Sequence, residues 1–173
     1  LAPVDGLCHP HHGELRINDK TSFIAALDTL PFPARDLLPL KRYWRARLVH
    51  GFNLRGRRNF NVVTSRGCPA SCAYCNIRPL WGKRFRARSP QNVVAELTHL
   101  KAAYGADHIQ FEDDNLTCDL DRAKELFRLM APLGLPWNTP NGVSLWRMDR
   151  RCLELMRAAG CYYVRFGIES GSQ

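Results

Sequence analysis

The chain has no long hydrophobic run. Its apolar stretches are a few residues each, far short of the ~20 that a membrane-spanning helix needs, so a helical span is excluded. No charged-then-apolar segment opens it, so nothing at its start reads as a secretory signal. A Gly-x-Gly-x-x-Gly turn is missing as well, which counts against a dinucleotide-binding open sheet. Acids are absent over one long stretch: Lys41 to Arg88 holds thirteen of the 25 basic residues and no Asp or Glu. The remaining twelve bases face sixteen acids, so the net charge of +9 belongs to that block alone. Such a block suits an anionic partner, whether nucleic acid, a phosphorylated or carboxylated substrate, or an acidic redox protein. A solvated surface, or a face that docks on another domain, explains it equally well.

What is present is the balance of a globular domain, with 45% apolar and 24% charged residues in 173. Leu1 is not a methionine, and Gly171-Ser172-Gln173 follows directly on an apolar run, so both ends read as cuts in a longer chain. The seven cysteines are odd in number, and three of them fall within eight residues while Cys8, Cys118, Cys152 and Cys161 are scattered. That is no secreted disulfide framework, and it points to a thiolate metal site in a reducing, cytoplasmic compartment. The scattered Cys118, Cys152 and Cys161 read as buried core thiols.

Residues 1–58 carry weak periodicity and many breakers, and read as a connecting arm. His9-Pro10-His11-His12-Gly13 reads as an exposed turn, and Leu30-Pro31-Phe32-Pro33 as an extended segment. Regular patterning begins with a strand over Phe60–Ser65 that runs into the cysteines. Ser89-Pro90 caps a helix carrying Val93, Leu97, Leu100 and Tyr104, which Gly105 stops. A strand at His108–Phe111 alternates and ends in acids. A helix capped at Asp119 turns Ala123, Leu126, Phe127 and Met130 to one side. A short strand near Pro136–Asn138, a helix from Asp149 to Gly160, and a strand over Tyr162–Ile168 complete the series. Strands alternating with helices imply parallel pairing with right-handed crossovers. Polar residues gather at the carboxyl ends of the strands, where such folds place their sites. The fold class expected is α/β, a partial TIM-like barrel of parallel βα units.

The chemistry concentrates in Gly67-Cys68-Pro69-Ala70-Ser71-Cys72-Ala73-Tyr74-Cys75. Spacings of four and three let one tight loop present three thiolates around a compact inorganic core. Three is one fewer than a closed four-cysteine cluster or a zinc ribbon uses. A 4Fe–4S cluster so held leaves one iron open to a small molecule. A structural zinc site would need a fourth ligand, for which His50, His99 and Cys118 are the available residues. Arg84, Arg86 and Arg88 alternate with Phe85 and Ala87, so an extended segment would show a basic edge, either solvated or set against an anionic substrate or acidic reductant. Trp81, Trp137 and Trp146 share no register and read as packing residues.

Cys-x₃-Cys-x₂-Cys after a first strand, with an aromatic residue before the last cysteine, resembles the radical S-adenosylmethionine superfamily. Leu30–Asp36, Thr64–Pro69, Arg84–Pro90, Asp113–Asn115 and Gly167–Gly171 resemble its cobalamin-dependent branch, and the likeness runs over residues 30–173. The resemblance implies a radical S-adenosylmethionine core in which Cys68, Cys72 and Cys75 hold a 4Fe–4S cluster. Its open iron would be chelated by S-adenosylmethionine, which one electron cleaves to methionine and a hydrogen-abstracting 5′-deoxyadenosyl radical. Tyr74 matches the position packing near the adenine. Asp113 or Asp114 stands where a Gly-Gly-Glu-like motif contacts the cofactor's amino group, and Glu169 and Ser170 match positions at its ribose and charged end. The branch further implies a cobalamin-binding domain before residue 1, with 59–173 the first part of the radical core, truncated after its fourth strand. It also implies a small-molecule substrate, a flavodoxin- or ferredoxin-type electron donor, and methyl transfer or cyclisation. The 173 residues alone are expected to be inactive. Two rivals are a radical methylthiotransferase acting on tRNA, for which the basic block argues, and a non-catalytic zinc or iron–sulfur module.

Overall fold

The computed structural model describes residues 4–47, 50, 55–145, 147–168 and 171. The arm opens with an antiparallel hairpin, β1 (Cys8–His11) and β2 (Glu14–Ile17). His12 and Gly13 both have positive φ, 50° and 85°, the geometry of a two-residue type I′ turn. His9–Gly13 is therefore strand plus turn, not a turn throughout. Pro10 is tolerated in β1 because it pairs with Leu15, one step from the turn, where no ladder bond is required of its nitrogen. Two 3₁₀ turns, Leu27–Thr29 and Arg35–Leu37, lead to α1 (Leu40–Ala46).

The regular part runs β3 (Asn59–Val62), β4 (Ser65–Arg66), α2 (Ile77–Trp81), β5 (Arg86–Ala87), α3 (Pro90–Tyr104), β6 (His108–Phe111), α4 (Leu120–Met130), β7 (Trp137–Val143), α5 (Arg150–Ala158) and β8 (Cys161–Phe166). Strands β3, β6, β7 and β8 form one sheet in that order, every pair parallel, with α3, α4 and α5 as crossovers. This is the expected part of a TIM-like barrel. The first strand is shorter than its sequence suggested. It stops at Val62, and Ser65-Arg66 leaves the sheet to pair with Arg86-Ala87 in a separate ribbon.

Local signals explain the helices. The Ser89 hydroxyl accepts from the Asn92 N–H (3.1 Å), Asp119 accepts from Arg122 N–H (3.0 Å), and Asp149 from Cys152 N–H (2.7 Å). Gly105, at φ 64°, ends α3 in the left-handed conformation. Their apolar faces meet the sheet in one core. Trp137 stacks on Phe127 (5.1 Å, 19°) and sets its edge to Phe111 (5.2 Å, 77°), while its indole N–H donates to Ala159 O at 3.0 Å. Truncating such a ring costs about 3–5 kcal/mol. All four residues of β6 are buried, so its alternation separates two covered faces: Ile109 and Phe111 join the core, while His108 and Gln110 lie opposite. β7 is twice the length read from sequence, running through Pro140 with a register shift against β8.

The arm covers the free edge of β3. Trp44 Nε1–H donates to Asn59 O (3.2 Å), and Arg35 Nη2 donates to Asn61 O (3.1 Å). Arg35 also pairs with buried Glu96 of α3 (2.6 Å), whose other oxygen takes Arg88. The basic edge expected over Arg84–Arg88 is thus corrected. Arg86 is 7% exposed and donates to Ile24 O and Trp81 O, and Arg88 is held by Glu96 and Asn92, so only Arg84 faces solvent. Arginines at two-residue spacing face inward here because carbonyls and a carboxylate wait for them. Of the tryptophans singled out, Trp137 is core, Trp81 packs under Arg66, and Trp146 lies outside the described residues.

Candidate functional site

Where β3 ends, Asp113 fixes the turn that starts the cysteine loop. Thr64 N–H donates to both its oxygens (3.2 and 3.0 Å), and the Thr64 and Ser65 hydroxyls add bonds of 2.7 and 2.5 Å. Burial pushes the Asp113 carboxyl above the usual range, opposed by these hydrogen bonds and by the charge of Arg122. Arg122 braces the same turn, donating to Thr64 O (3.1 Å) and Arg88 O (2.8 Å). Gly67 comes next, at φ 82°; a Cβ there would sit 2.5 Å from Arg84 O and 3.1 Å from Gly82 O. Only glycine lets the loop cross that segment. The Gly67 N–H bonds to Asp114, which locks the loop's start to the end of β6.

The loop then presents Cys68, half-buried, and Cys72 and Cys75, both exposed and all free thiols. Cys75 N–H donates to Cys72 O at 3.1 Å, closing a turn between the second and third cysteines before α2 begins. All three line one cleft of about 570 Å³, with Tyr74 and Asp114 also on its wall. Among the described residues, no three His, Cys, Asp or Glu side chains converge on a point that would ligate a single ion. Of the three candidate fourth zinc ligands, Cys118 lies near enough to Cys68 for their charges to interact, while the two histidines are engaged elsewhere. His50 Nδ1 is 2.8 Å from Glu112 Oε2, and His99 packs between the rings of Phe32 and Tyr104.

The two acids separate. Asp113 is fully buried and committed to Thr64 and Ser65, whereas Asp114 faces the cleft with a buried Oδ2 that has no hydrogen-bond partner. Burial raises the Asp114 pKa, opposed by the Gly67 N–H and reinforced by neighbouring Asp113. Tyr74 is 72% exposed on the cleft wall. Glu169 and Ser170 lie outside the described residues, directly after Gly167 and Ile168, which reach the cleft. Sequence reasoning missed the end of β7. Asn141, Gly142 and Ser144 line the cleft, Asn115 Nδ2 donates to Ser144 Oγ (2.9 Å), and Asn141 Nδ2 donates to Glu112 O (3.0 Å). The available signal was the Asn141-Gly142 pair, which a strand ending at Asn138 left in a loop. Of the scattered thiols, Cys152 is buried while Cys118 and Cys161 are half-buried; burial pushes Cys161 up to about 12.

Parallel βα units with an open three-thiolate loop at the end of the first strand define a core built to hold a cluster with a free coordination position. Residues 62–173 match the Radical SAM superfamily, and the chain belongs to it. It is 43% identical over 152 residues to cytidylyl-2-hydroxyethylphosphonate methyltransferase of Streptomyces wedmorensis, covering 88% of this chain and 28% of that protein. It is 32% identical over 174 residues to an uncharacterized methyltransferase of Pyrococcus horikoshii, covering 99% and 36%. Among solved structures it resembles the radical S-adenosylmethionine methyltransferase TsrM of Kitasatospora setae, with cobalamin and a [4Fe-4S] cluster bound (TM-score 0.54, 25% identity, 62% of this chain and 22% of that one). The chain spans roughly a third of the length of these curated relatives.

Proposed function

We propose that this chain is the cluster-bearing part of a cobalamin-dependent radical S-adenosylmethionine methyltransferase acting on a small molecule. The observation that carries this reading is one cleft wall holding three free thiols and an unpartnered Asp114 oxygen. Cys68, Cys72 and Cys75 hold the cluster, and Asp114 accepts from the ammonium of S-adenosylmethionine. Tyr74 covers the adenine, while Glu169 and Ser170 contact the ribose and charged end. Asp113 positions the loop through Thr64 and Ser65. When bound, the cluster and S-adenosylmethionine supply one-electron cleavage of a carbon–sulfur bond, and cobalamin supplies a methyl carrier. A domain preceding this chain holds the cobalamin, residues 1–58 connect it, and an electron-transfer protein reduces the cluster in the cytoplasm. Among the described residues no helix is long and apolar enough to cross a membrane.

The test is anaerobic iron–sulfur reconstitution of the full-length protein, dithionite reduction, and assay for S-adenosylmethionine cleavage, with Cys72→Ala alongside. Cleavage products that vanish in the variant support the reading. Zinc or a closed four-ligand cluster without cleavage would sink it and favour a binding module.

A further inference from the structure

The arm, β3, the segment after it and α3 enclose a second pocket, of about 210 Å³, which shares no lining residue with the cysteine cleft. Leu27, Leu30 and Phe32 give it an apolar wall. Four charged side chains also line it, Arg35, Arg66, Arg88 and Glu96, so three guanidiniums meet one carboxylate and a surplus of two positive charges remains. Asp28 and Asp36, the acids adjacent to Leu27 and Arg35, are not part of the wall, and Asp28 accepts from the Ser89 N–H at 2.9 Å. Buried Glu96 is already shared between Arg35 and Arg88.

The three guanidiniums are unequally committed. Arg88 donates to Asn92 Oδ1 (2.7 Å), Asn92 O (3.3 Å) and Val63 O (3.3 Å) besides Glu96, and so has little left to offer. Arg35 engages Asn61 O through Nη2 and Glu96 through Nη1, so among the described residues some of its five N–H donors have no partner. Half-buried Arg66 lies over the Trp81 ring at 4.8 Å, and among the described residues its guanidinium has no hydrogen-bonded or ionic partner.

We propose that this pocket binds the phosphate monoester group of a small molecule, with Arg66 and Arg35 as its donors and the Leu27, Leu30 and Phe32 wall against its stem. A dianion matches the surplus of two charges, whereas a carboxylate would leave one cation unmet. Guanidinium forks suit phosphate oxygens, which they bind bidentately, and a cation without a counter-charge in a nearly closed site is costly until an anion arrives. Size sets the remainder of the ligand. Sites for drug-sized molecules run to about 300–1,000 Å³, so about 210 Å³ takes a phosphate with a short stem and leaves a nucleotide's base and sugar outside. Arg35 belongs to the arm, and Arg66 is followed directly by Gly67 and Cys68. A bound phosphate therefore bridges the arm to the root of the cysteine loop.

The test is calorimetric titration of the full-length protein with phenyl phosphate, with benzoate and phenol as the singly charged and neutral probes. Phenyl phosphate should bind one to one, benzoate at least 10-fold more weakly, and phenol not measurably. Arg66→Gln should weaken phenyl phosphate about 10-fold or more, the worth of a hydrogen bond between charged groups. Arg66→Lys should fall between, because it keeps the charge and loses the fork. Val63→Phe adds a ring on the pocket wall, leaves every charge in place, and should weaken binding as well. Arg84→Gln removes an exposed cation from outside the wall and should match wild type. Melting curves show which variants are folded; if Arg66→Gln is not, Val63→Phe and Arg66→Lys decide. Wild-type protein that does not bind phenyl phosphate overturns the proposal, as does benzoate binding as tightly. An equal loss in Arg84→Gln overturns it too, because the surface charge at large would then be responsible. Displacement of phenyl phosphate by S-adenosylmethionine would place it in the cysteine cleft and overturn the proposal likewise.

Discussion

Replacing Glu96 by Gln tests whether the arm is held to the core by charge. Glu96 is 1% exposed, and its side chain faces two guanidiniums, Arg35 and Arg88, whose side chains are 8% and 11% exposed. The amide keeps the shape and removes the negative charge. It leaves two nearly buried cations facing each other, Arg35 still holding Asn61 O and Arg88 still holding Val63 O, Asn92 O and Asn92 Oδ1. Breaking a buried pair this way costs about 3–5 kcal/mol, and the surviving carbonyl bonds favour the lower end. Against a typical total of about 5–15 kcal/mol that is a large share. With a urea slope near 2 kcal/mol/M, the unfolding midpoint of this domain should fall by about 1.5 M. Trypsin should also cut faster at Arg42 and Arg45, because the arm loses its anchor. Replacing all three residues by apolar ones of similar volume should recover much of the loss. A midpoint shift below about 0.3 M would refute the reasoning, since it would mean that the guanidiniums reach water as they would at a surface.

His108 is fully buried, with Nε2 2.8 Å from the Tyr162 hydroxyl, and burial holds its pKa down to about 4. Its unfolded value is about 6.5, so the neutral form's contribution, on the order of 3 kcal/mol, is complete above pH 6.5 and is lost as pH falls towards 4. His108→Gln should flatten the stability profile across that window in acid-denaturation curves; an unchanged slope would remove His108 as its cause. Gly67→Ala forces a Cβ against Arg84 O at φ 82°, so the loop must shift. Iron bound per chain after reconstitution should then drop severalfold while far-ultraviolet circular dichroism is retained, and full iron loading would show the crossing to be slack. Asp114→Asn should weaken S-adenosylmethionine binding to reconstituted protein about 10- to 100-fold, the worth of a hydrogen bond between charged groups. Equilibrium dialysis within twofold of wild type would discard that contact.

The helices were legible because their signals are local. Ser89-Pro90, Asp119 and Asp149 each cap the helix directly after them, and the Ala123–Met130 stripe lands in the core as written. The three cysteines, close together in sequence, also share one cleft wall. What the sequence hid depends on partners far along the chain. Val63 and Thr64 look like a continuing strand, yet Asp113, 49 residues on, pulls Thr64 out of the sheet. Arg86 and Arg88 look like a solvent edge until Trp81 O and Glu96 are brought beneath them. Asp113 and Asp114 are indistinguishable in a string of acids, and only the turn at Thr64 decides which one faces inward. The far end of β7 was lost because Pro140 and Gly142 read as breakers, although a bulged strand beside β8 accommodates both.

The bonds from Trp44 and Arg35 to Asn59 O and Asn61 O have a consequence for assembly. A bare outer strand recruits whatever strand arrives first, from its own chain or another. Here the outward carbonyls of Asn59 and Asn61 on β3 are occupied by an indole and a guanidinium, so that margin is not bare. The strand order across the sheet, β3-β6-β7-β8, follows the order along the chain, and side chains from the preceding segment stand where a partner strand would have to pair with β3. A short segment ahead of the sheet thus guards its first edge against stray pairing.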